Sequence, residues 1–313
     1  MMVNLSVTSM QPSSEEIKDV AIELVLPDEF IEKDWYAVQL LKLIIEYQFE
    51  GIHPIFSGGT SLSKGFGLIK RFSEDLDFKI RIEEGIGKKE RRNYRKEIIE
   101  AIDRNDFFEV DRDSLFKGSQ SMHFSFLINY PNLFEGHNSL RPQLKIEMYF
   151  YEPKLEPLSC SVRSFIKEVK GEEHEIKAPC VSPTETAADK CTALIWKTHI
   201  KDRSQEKGSK YNEPEMVRHL HDLCALEDHI NNQDFINIAK GNFGGDKKRG
   251  KGQIDDSKGL KGALEKTIEI IQSDREYIDE FKIFVDEVSY AEDAEKISLE
   301  KALASLIRVS KLL

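Results

Sequence analysis

The chain has 313 residues, 40% of them hydrophobic, enough to bury a core in one large domain or two moderate ones. Its formal net charge of −11 argues against an indiscriminate coat for nucleic acid, yet leaves room for a local basic patch that handles nucleotides or RNA. With no export signal, no apolar run of membrane length and four cysteines without CxxC spacing, a cytoplasmic protein with reduced thiols and no membrane contact is expected.

The opening MMVNLSVTSMQP has no period and is expected to be a loosely docked arm. Ser13 or Ser14, followed by Glu15 and Glu16, predicts a capped helix through about Leu26, stopped by Pro27. The next predicted helix runs from Asp34 to Glu50, because Trp35, Val38, Leu41, Ile44, Ile45 and Phe49 recur at helical spacing before Gly51. Trp35 and Tyr47 read as packing residues.

The chemistry is concentrated in Pro54 to Ile80, PIFSGGTSLSKGFGLIKRFSEDLDFKI. A short apolar run, Ile55-Phe56, enters a tight turn of small residues, Ser57-Gly58-Gly59-Thr60. A turn of this kind between a strand and a helix offers unpaired backbone N–H groups to a phosphate, and glycine lets the chain approach closely. The helix predicted next buries Leu62, Phe66 and Ile69. Lys64 on that helix is either within reach of a bound phosphate or a solvated surface lysine, and Arg71 is expected to pair with Glu74 or Asp75. Asp75, Asp77 and Lys79 then alternate with Leu76, Phe78 and Ile80, a period of two that puts both aspartates on one face of a strand. Two carboxylates on one face repel each other and call for a compensating charge. Hard oxygen ligands one strand step apart suit Mg²⁺ or Mn²⁺, whose shell is completed by substrate phosphates.

The order strand, glycine turn, helix, D-x-D strand resembles the nucleotidyltransferase fold of the DNA polymerase β type. More narrowly, GGTSLSK followed by RFSEDLDF is similar to the AbiEii/AbiGii toxin family of nucleotidyltransferases, found in bacterial abortive-infection and toxin–antitoxin loci. The resemblance covers about Leu40 to Leu226. It implies an α+β fold, with a mixed sheet and flanking helices followed by a helical domain, and it implies an NTP donor and a separately encoded antitoxin.

Gly87 to Asp106 predicts an amphipathic helix with Tyr94, Ile98, Ile99 and Ile102 inward and its basic residues toward solvent or RNA. Ser121 to Tyr130 and Gln143 to Tyr151 alternate as strands around the loop PNLFEGHNSLRP. On the second of these, Leu144, Ile146 and Met148 share one face and Lys145, Glu147 and Tyr149 the other. Pairing beside the D-x-D strand would bring Glu147 to Asp75 and Asp77, where the resemblance implies a third carboxylate. Asp75 and Asp77 would then be shared metal ligands and Glu147 the ligand on the acceptor side, so that two metal ions orient the attacking hydroxyl and neutralise the pyrophosphate leaving group.

Glu152 to Pro179 reads as a connector with one strand, Cys160 to Val169, ending a nucleotidyltransferase domain over residues 1–179. Residues 180–313 are expected to form a helical domain that closes the active-site cleft. SPTETAADK starts its first helix, with Pro183 at the first position and Glu185 in the first turn. Ala187, Cys191, Leu194 and Ile195 form an apolar side. Lys190, Lys197 and Lys201 lie along another, which suggests a triphosphate or RNA partner, against plain solvated surface for the last two. The resemblance assigns Lys190 to nucleotide binding and activity.

HIKDRSQEKGSKYNEP, polar and basic, is expected to be a mobile loop over the site. In the helix EMVRHLHDLCAL, Arg218, His219, Asp222 and Leu223 fit the R-[DH]-x-x-D-L element of the family that the chain resembles. Asp222 there orients Lys190 or contacts the nucleotide, unless it simply pairs with Arg218 one turn away. His219 and His221 leave a helix in different directions and read as acceptor contacts or packing rather than metal ligands. Asn237 to Gly262, rich in glycine, lysine and aspartate, is expected to be a flexible loop. Two or three helices complete the chain, the last from about Asp293.

These features, with the resemblance, imply a metal-dependent nucleotidyltransferase expected to move an NMP from an NTP to an acceptor hydroxyl. The resemblance implies the 3′ end of a tRNA as acceptor and growth arrest restrained by the antitoxin. Two alternatives stay open: a nucleotide-binding regulatory protein without turnover, and an enzyme of the same fold that modifies a small molecule or a protein.

Overall fold

The first helix, α1 (Ser14–Leu24), is opened by a reciprocal cap in which Ser13 Oγ accepts from Glu16 N and the Glu16 carboxylate accepts from Ser13 N. It ends at Val25, which adopts a left-handed conformation with φ 54°. Pro27 then begins α2 (Asp28–Glu46) well before the predicted start at Asp34. Asp28 and Glu29 occupy its first turn, where free N–H groups favour acids, and the buried Phe30 and Ile31 extend its apolar surface backwards. This computed structural model describes residues 10–134, 136, 140–230, 232–249, 254 and 258–313, so most of the expected amino-terminal arm lies outside the described residues. The chain divides into two units, one running up to Gly67 and from Phe72 to Val181, the other formed by Leu68–Arg71 and Ser182–Leu313.

In the first unit, the described residues form one mixed sheet from β1 (Ile52–Ser57), β2 (Asp75–Ile82), β3 (Glu109–Lys117), β4 (His123–Asn129), β5 (Leu144–Tyr149), β6 (Leu158–Val162) and β7 (Ile176–Cys180), in the order β3-β4-β5-β2-β1-β7-β6. β2 runs parallel to β5 and β1 to β7, while the other neighbours are antiparallel. Alternation sorts the two faces. Leu76, Phe78 and Ile80 of β2, Phe124, Phe126 and Ile128 of β4, and Leu144, Ile146 and Met148 of β5 are all buried, each contributing roughly 1.5–3 kcal/mol for the larger side chains. A helix of the unit, Lys88–Asp103, packs on this apolar face through Tyr94, whose ring meets Phe49 and Phe150 edge-on. Its basic residues therefore belong to the side of the sheet away from the aspartates.

Between β1 and β2 the predicted helix is much shorter than expected. Gly58–Thr60 make a single turn, α3, that widens into a π turn over Ser61–Gly65. Gly65 packs so closely that a Cβ would lie 3.1 Å from Cys180 Sγ, and Gly67, with φ +64°, turns the chain away. Helix Lys88–Asp103 is thus α4. The strand expected over Cys160 to Val169 is instead β6 followed by α5 (Phe165–Val169), because the Ser164 side chain accepts from Lys167 N and caps a helix. β3 and β7 were not among the predicted strands.

The second unit is helical: α6 (Pro183–Ile200), α7 (Val217–Ala225), α8 (Gln233–Arg249), α9 (Gly259–Ser273), α10 (Glu276–Val288) and α11 (Leu299–Leu312). It takes in Leu68–Arg71, where Lys70 O accepts from Tyr290 N and Arg71 bridges to Ser289. The expected flexible loop over Asn237–Gly262 is corrected, since α8 runs through its three glycines to Arg249 and α9 begins at Gly259. Phe235, Ile238, Ala239 and Phe243 are buried at helical spacing, and packing of α8 on α6 outweighs the weak helical preference of glycine. Residues 250–253 and 255–257 of that loop lie outside the described residues. The loop after α6 carries its own hydrogen bonds, Asp202 N to Tyr211 O at 2.7 Å and Gly208 N to Asn212 O at 2.8 Å. The last helix starts at Leu299, where Ser298 caps it, rather than at Asp293. All four cysteines are buried free thiols, and no helix among the described residues is long and apolar enough to cross a membrane.

Candidate active site

The face of the sheet opposite the apolar core carries the aspartates. Asp77 stands in register with Glu147 on parallel β5 and with Ser57 on antiparallel β1, while Asp75 is in register with Lys145. Ser125 of β4 stands opposite Glu147 on its other side. Asp75, Asp77 and Glu147 therefore leave one face from adjacent strands. Cations meet two of these charges: Arg141 Nη1 donates to Asp75 Oδ1 at 2.9 Å, and Lys145 pairs with Glu147. Tyr149 also donates its hydroxyl to Glu147 Oε2 at 2.6 Å. Partial burial would raise the Glu147 carboxyl, but the bonds from Lys145 and Tyr149 outweigh it and hold the group below the usual range. Glu74 is tied in beside them, accepting from Arg141 N at 3.1 Å and from the fully buried Lys33.

The glycine turn abuts this face. Gly58 has φ +76°, and a Cβ there would lie 2.1 Å from Asp77 Oδ2, so only glycine fits beside the carboxylate. Thr60 Oγ1 donates to Asp75 O at 2.5 Å and to Ser73 O at 3.2 Å, fastening the turn to the carboxylate strand. Ser57, Gly59 and Thr60 are buried. Lys64 is not a solvated lysine: its ammonium pairs with buried Asp34 at 2.5 Å and lies 3.3 Å from the Phe165 ring centroid. Asp34 in turn accepts from Phe165 N at 2.6 Å, at the start of α5.

Within the helical unit, Asp222 is fully buried and binds two cations. Arg71 holds it with two hydrogen bonds of 2.7 Å, and Lys190 Nζ lies 2.6 Å from Oδ2. Burial would raise the Asp222 carboxyl, but Arg71 and Lys190 together hold it well below the usual carboxylate range. Burial pulls Lys190 down from the ordinary lysine value. Arg71 thus pairs with Asp222 and not with Glu74 or Asp75 as expected, and Arg218 binds Glu213 and Glu215 instead of Asp222. Lys197 pairs with Glu213, and Lys201 lies 2.8 Å from a Glu280 carboxylate oxygen. His221 Nδ1 lies 3.2 Å from Asp222 Oδ1. His219 has both ring nitrogens shielded with no hydrogen-bond partner. Burial first, then the charges of Lys190, Arg218 and Lys197, push it well below the ordinary histidine value.

Sequence reading missed Arg141, Lys145 and Tyr149 as partners of the carboxylates, and gave Arg71 a different partner from Asp222. For Lys145 and Tyr149 the signal was present, since K-x-E-x-Y on a strand puts all three on one face. Among the described residues no three His, Cys, Asp or Glu side chains converge as a ready metal site. The donor set nevertheless fits a hard divalent cation: carboxylate oxygens on adjacent strands, with positive charge already drawn to Asp75 and Glu147 by Arg141 and Lys145.

Comparison with known proteins gives this geometry its context. The solved structure of the nucleotidyltransferase toxin MenT4 from Mycobacterium tuberculosis H37Rv matches with a TM-score of 0.56 and 17% identity, covering 95% of this chain and 88% of that chain. That likeness is one of fold, and it agrees with the expected mixed sheet and helices. No curated protein sequence matches. The family described as nucleotidyl transferase AbiEii toxin, type IV toxin–antitoxin system, matches residues 39–305. Since that match takes in the glycine turn, the D-x-D strand and both units, the chain belongs to the AbiEii family of nucleotidyltransferase toxins.

Proposed function

We propose that this nucleotidyltransferase moves a nucleoside monophosphate from an NTP to a hydroxyl at the 3′ end of RNA, with tRNA as the first acceptor to test. It acts in the cytoplasm as a growth-arresting toxin restrained by its antitoxin. The observation that carries the reading is the row Ser57, Asp77, Glu147 across three adjacent strands, with Asp75 one step away on the same face.

Each residue then has a task. Backbone N–H groups of Ser57 to Thr60 meet the phosphates, and Gly58 leaves the space that Asp77 needs. Lys64, locked to Asp34, braces the turn from behind. Asp75, Asp77 and Glu147 would hold Mg²⁺ or Mn²⁺, which when bound neutralises the triphosphate and makes the acceptor hydroxyl easier to deprotonate. Tyr149 keeps the Glu147 carboxylate ionised and oriented. Arg141 and Lys145 balance the carboxylates and stand ready for phosphate charge. In the helical unit, Asp222 fixes Lys190, the lysine assigned to the nucleotide. The test is incubation of the purified protein with Mg²⁺, total tRNA and each of the four NTPs labelled at the α-phosphate. Labelled RNA is expected with at least one NTP, and label-free RNA with all four contradicts the proposal.

A further inference from the structure

Beyond Glu147, the carboxylate face of the sheet continues as a row of aromatic rings. His123 of β4 stands opposite Tyr149 of β5, and their rings stack at 4.1 Å with an interplanar angle of 3°. Phe116 of β3 lies 5.3 Å from the His123 ring, and Tyr151 lies 6.4 Å from Tyr149 at 19°. The row is continuous with the site. Phe116 is in register with Ser125, which is in register with Glu147. Tyr149 is two residues past Glu147, roughly 7 Å along the strand, and donates its hydroxyl to that carboxylate. Lys79 stands in register with Tyr149 and adds a cation beside the rings.

These rings do not behave as core. The two ends of the row are open, with Phe116 53% and Tyr151 49% exposed. In its middle, His123 Nε2 is shielded yet has no hydrogen-bond partner. Burial pushes His123 below the ordinary histidine value, with the Glu147 charge opposing, so a neutral ring stacked on Tyr149 joins the two open ends of the row.

We propose that the open end rings Phe116 and Tyr151, held in line by the stacked His123 and Tyr149, form a stacking platform for unpaired nucleotides, the single-stranded end of a nucleic acid whose terminal hydroxyl reaches Glu147 and Asp77. Stacking on aromatic rings is tolerant of base identity, because every base has a π-face, and a neighbouring cation accompanies it to meet the backbone. A duplex end cannot use the platform in this way, since its bases are already stacked and paired. The inference rests on the proposed transfer to a nucleic-acid hydroxyl and adds where, and in what form, the acceptor is held.

The test uses the full-length protein and a six-nucleotide, 5′-fluorescein oligoribonucleotide ending in a 3′-deoxy residue, followed by fluorescence anisotropy. Phe116→Ala and Tyr151→Ala, at exposed positions, are expected to melt as the wild type does and to bind the oligonucleotide roughly 5- to 100-fold more weakly. Phe116→Tyr and Tyr151→Phe should restore binding, which a loss of local structure would not explain. A blunt RNA duplex of the same length should bind weakly to all of them. The proposal is overturned if the wild type leaves the oligonucleotide unbound, if the alanine variants bind it normally, or if the duplex binds equally well. It is also overturned if the rings govern association with the antitoxin but not with the oligonucleotide. The two readings fail separately: ring-dependent binding without transfer to RNA sinks the proposed reaction alone, and transfer with ring-independent binding sinks the platform alone.

Discussion

Gly58 and Asp77 are locked together by shape, since a Cβ on Gly58 would lie 2.1 Å from Asp77 Oδ2. Gly58 also sits at φ +76°, where a side chain is strained whatever the space. We expect Gly58→Ala to lose about 1–3 kcal/mol of stability and to reduce nucleotide transfer roughly 100-fold by displacing the carboxylate. Urea unfolding and initial rates measure the two effects. Unchanged activity would mean that the turn and Asp77 do not act together.

Asp222 is the anchor of a buried cluster with Arg71 and Lys190. Asp222→Asn leaves two cations without their carboxylate, and we expect a loss of about 3–5 kcal/mol, read by urea unfolding at neutral pH. The folded carboxyl lies well below its ordinary value, so the stabilisation is complete above the unfolded value of about 3.9 and fades as pH falls toward the folded value. The difference between wild type and variant should therefore be constant at neutral pH and shrink only in strong acid. A difference that changes between pH 5 and 7 would assign the effect to another group.

His219 supplies a pH dependence of its own. It is held neutral by burial and by Lys190, Arg218 and Lys197, with Asp222 opposing. The unfolded chain binds a proton below about pH 6.5 that the folded chain refuses, so stability is full above that pH and falls on acidification. We expect the wild-type melting temperature to drop between pH 7 and 5, at up to about 1.4 kcal/mol per pH unit from this residue. His219→Gln should flatten that slope, and an unaltered slope would show that His219 is not its source.

Much of the site was legible because β2 and β5 alternate with a period of two, which fixes the face of Asp75, Asp77 and Glu147 before any contact is known. What was not legible is which aspartate Glu147 stands beside and which cation each carboxylate holds. Register decides that Asp77 meets Glu147, and register depends on strand pairing across the whole sheet. Arg71 lies 151 positions from Asp222 in sequence, and local spacing instead pointed to Glu74 or Asp75. β3 was hidden because its residues are mostly exposed, and β7 because Pro179 reads as a strand breaker. In α8, glycines and lysines masked the buried stripe of Phe235, Ile238, Ala239 and Phe243.

Arg141 competes with any metal for Asp75, since its guanidinium already occupies Oδ1 at 2.9 Å. Removing it should therefore tighten binding of the metal alone while weakening binding of the nucleotide. For Arg141→Gln we expect Mn²⁺ affinity without nucleotide, followed by electron paramagnetic resonance, to rise roughly 2- to 5-fold, the range a partly exposed ion pair is worth. Affinity for NTP should fall. A variant that binds Mn²⁺ more weakly would mean that Arg141 supports the carboxylates instead of standing in for the metal.

The central claim is that Asp77 and Glu147, neighbours in register across β2 and β5, carry metal-dependent transfer of an NMP to RNA. The most direct measurement compares incorporation of α-labelled NTP into RNA, with Mg²⁺ and with chelator, by the wild type, Asp77→Asn and Glu147→Gln, each shown to be folded by its melting curve. The account expects label only with wild type and metal, with both variants reduced by roughly 100-fold or more. Labelling that survives the chelator, or that either variant carries out at the wild-type rate, would contradict it.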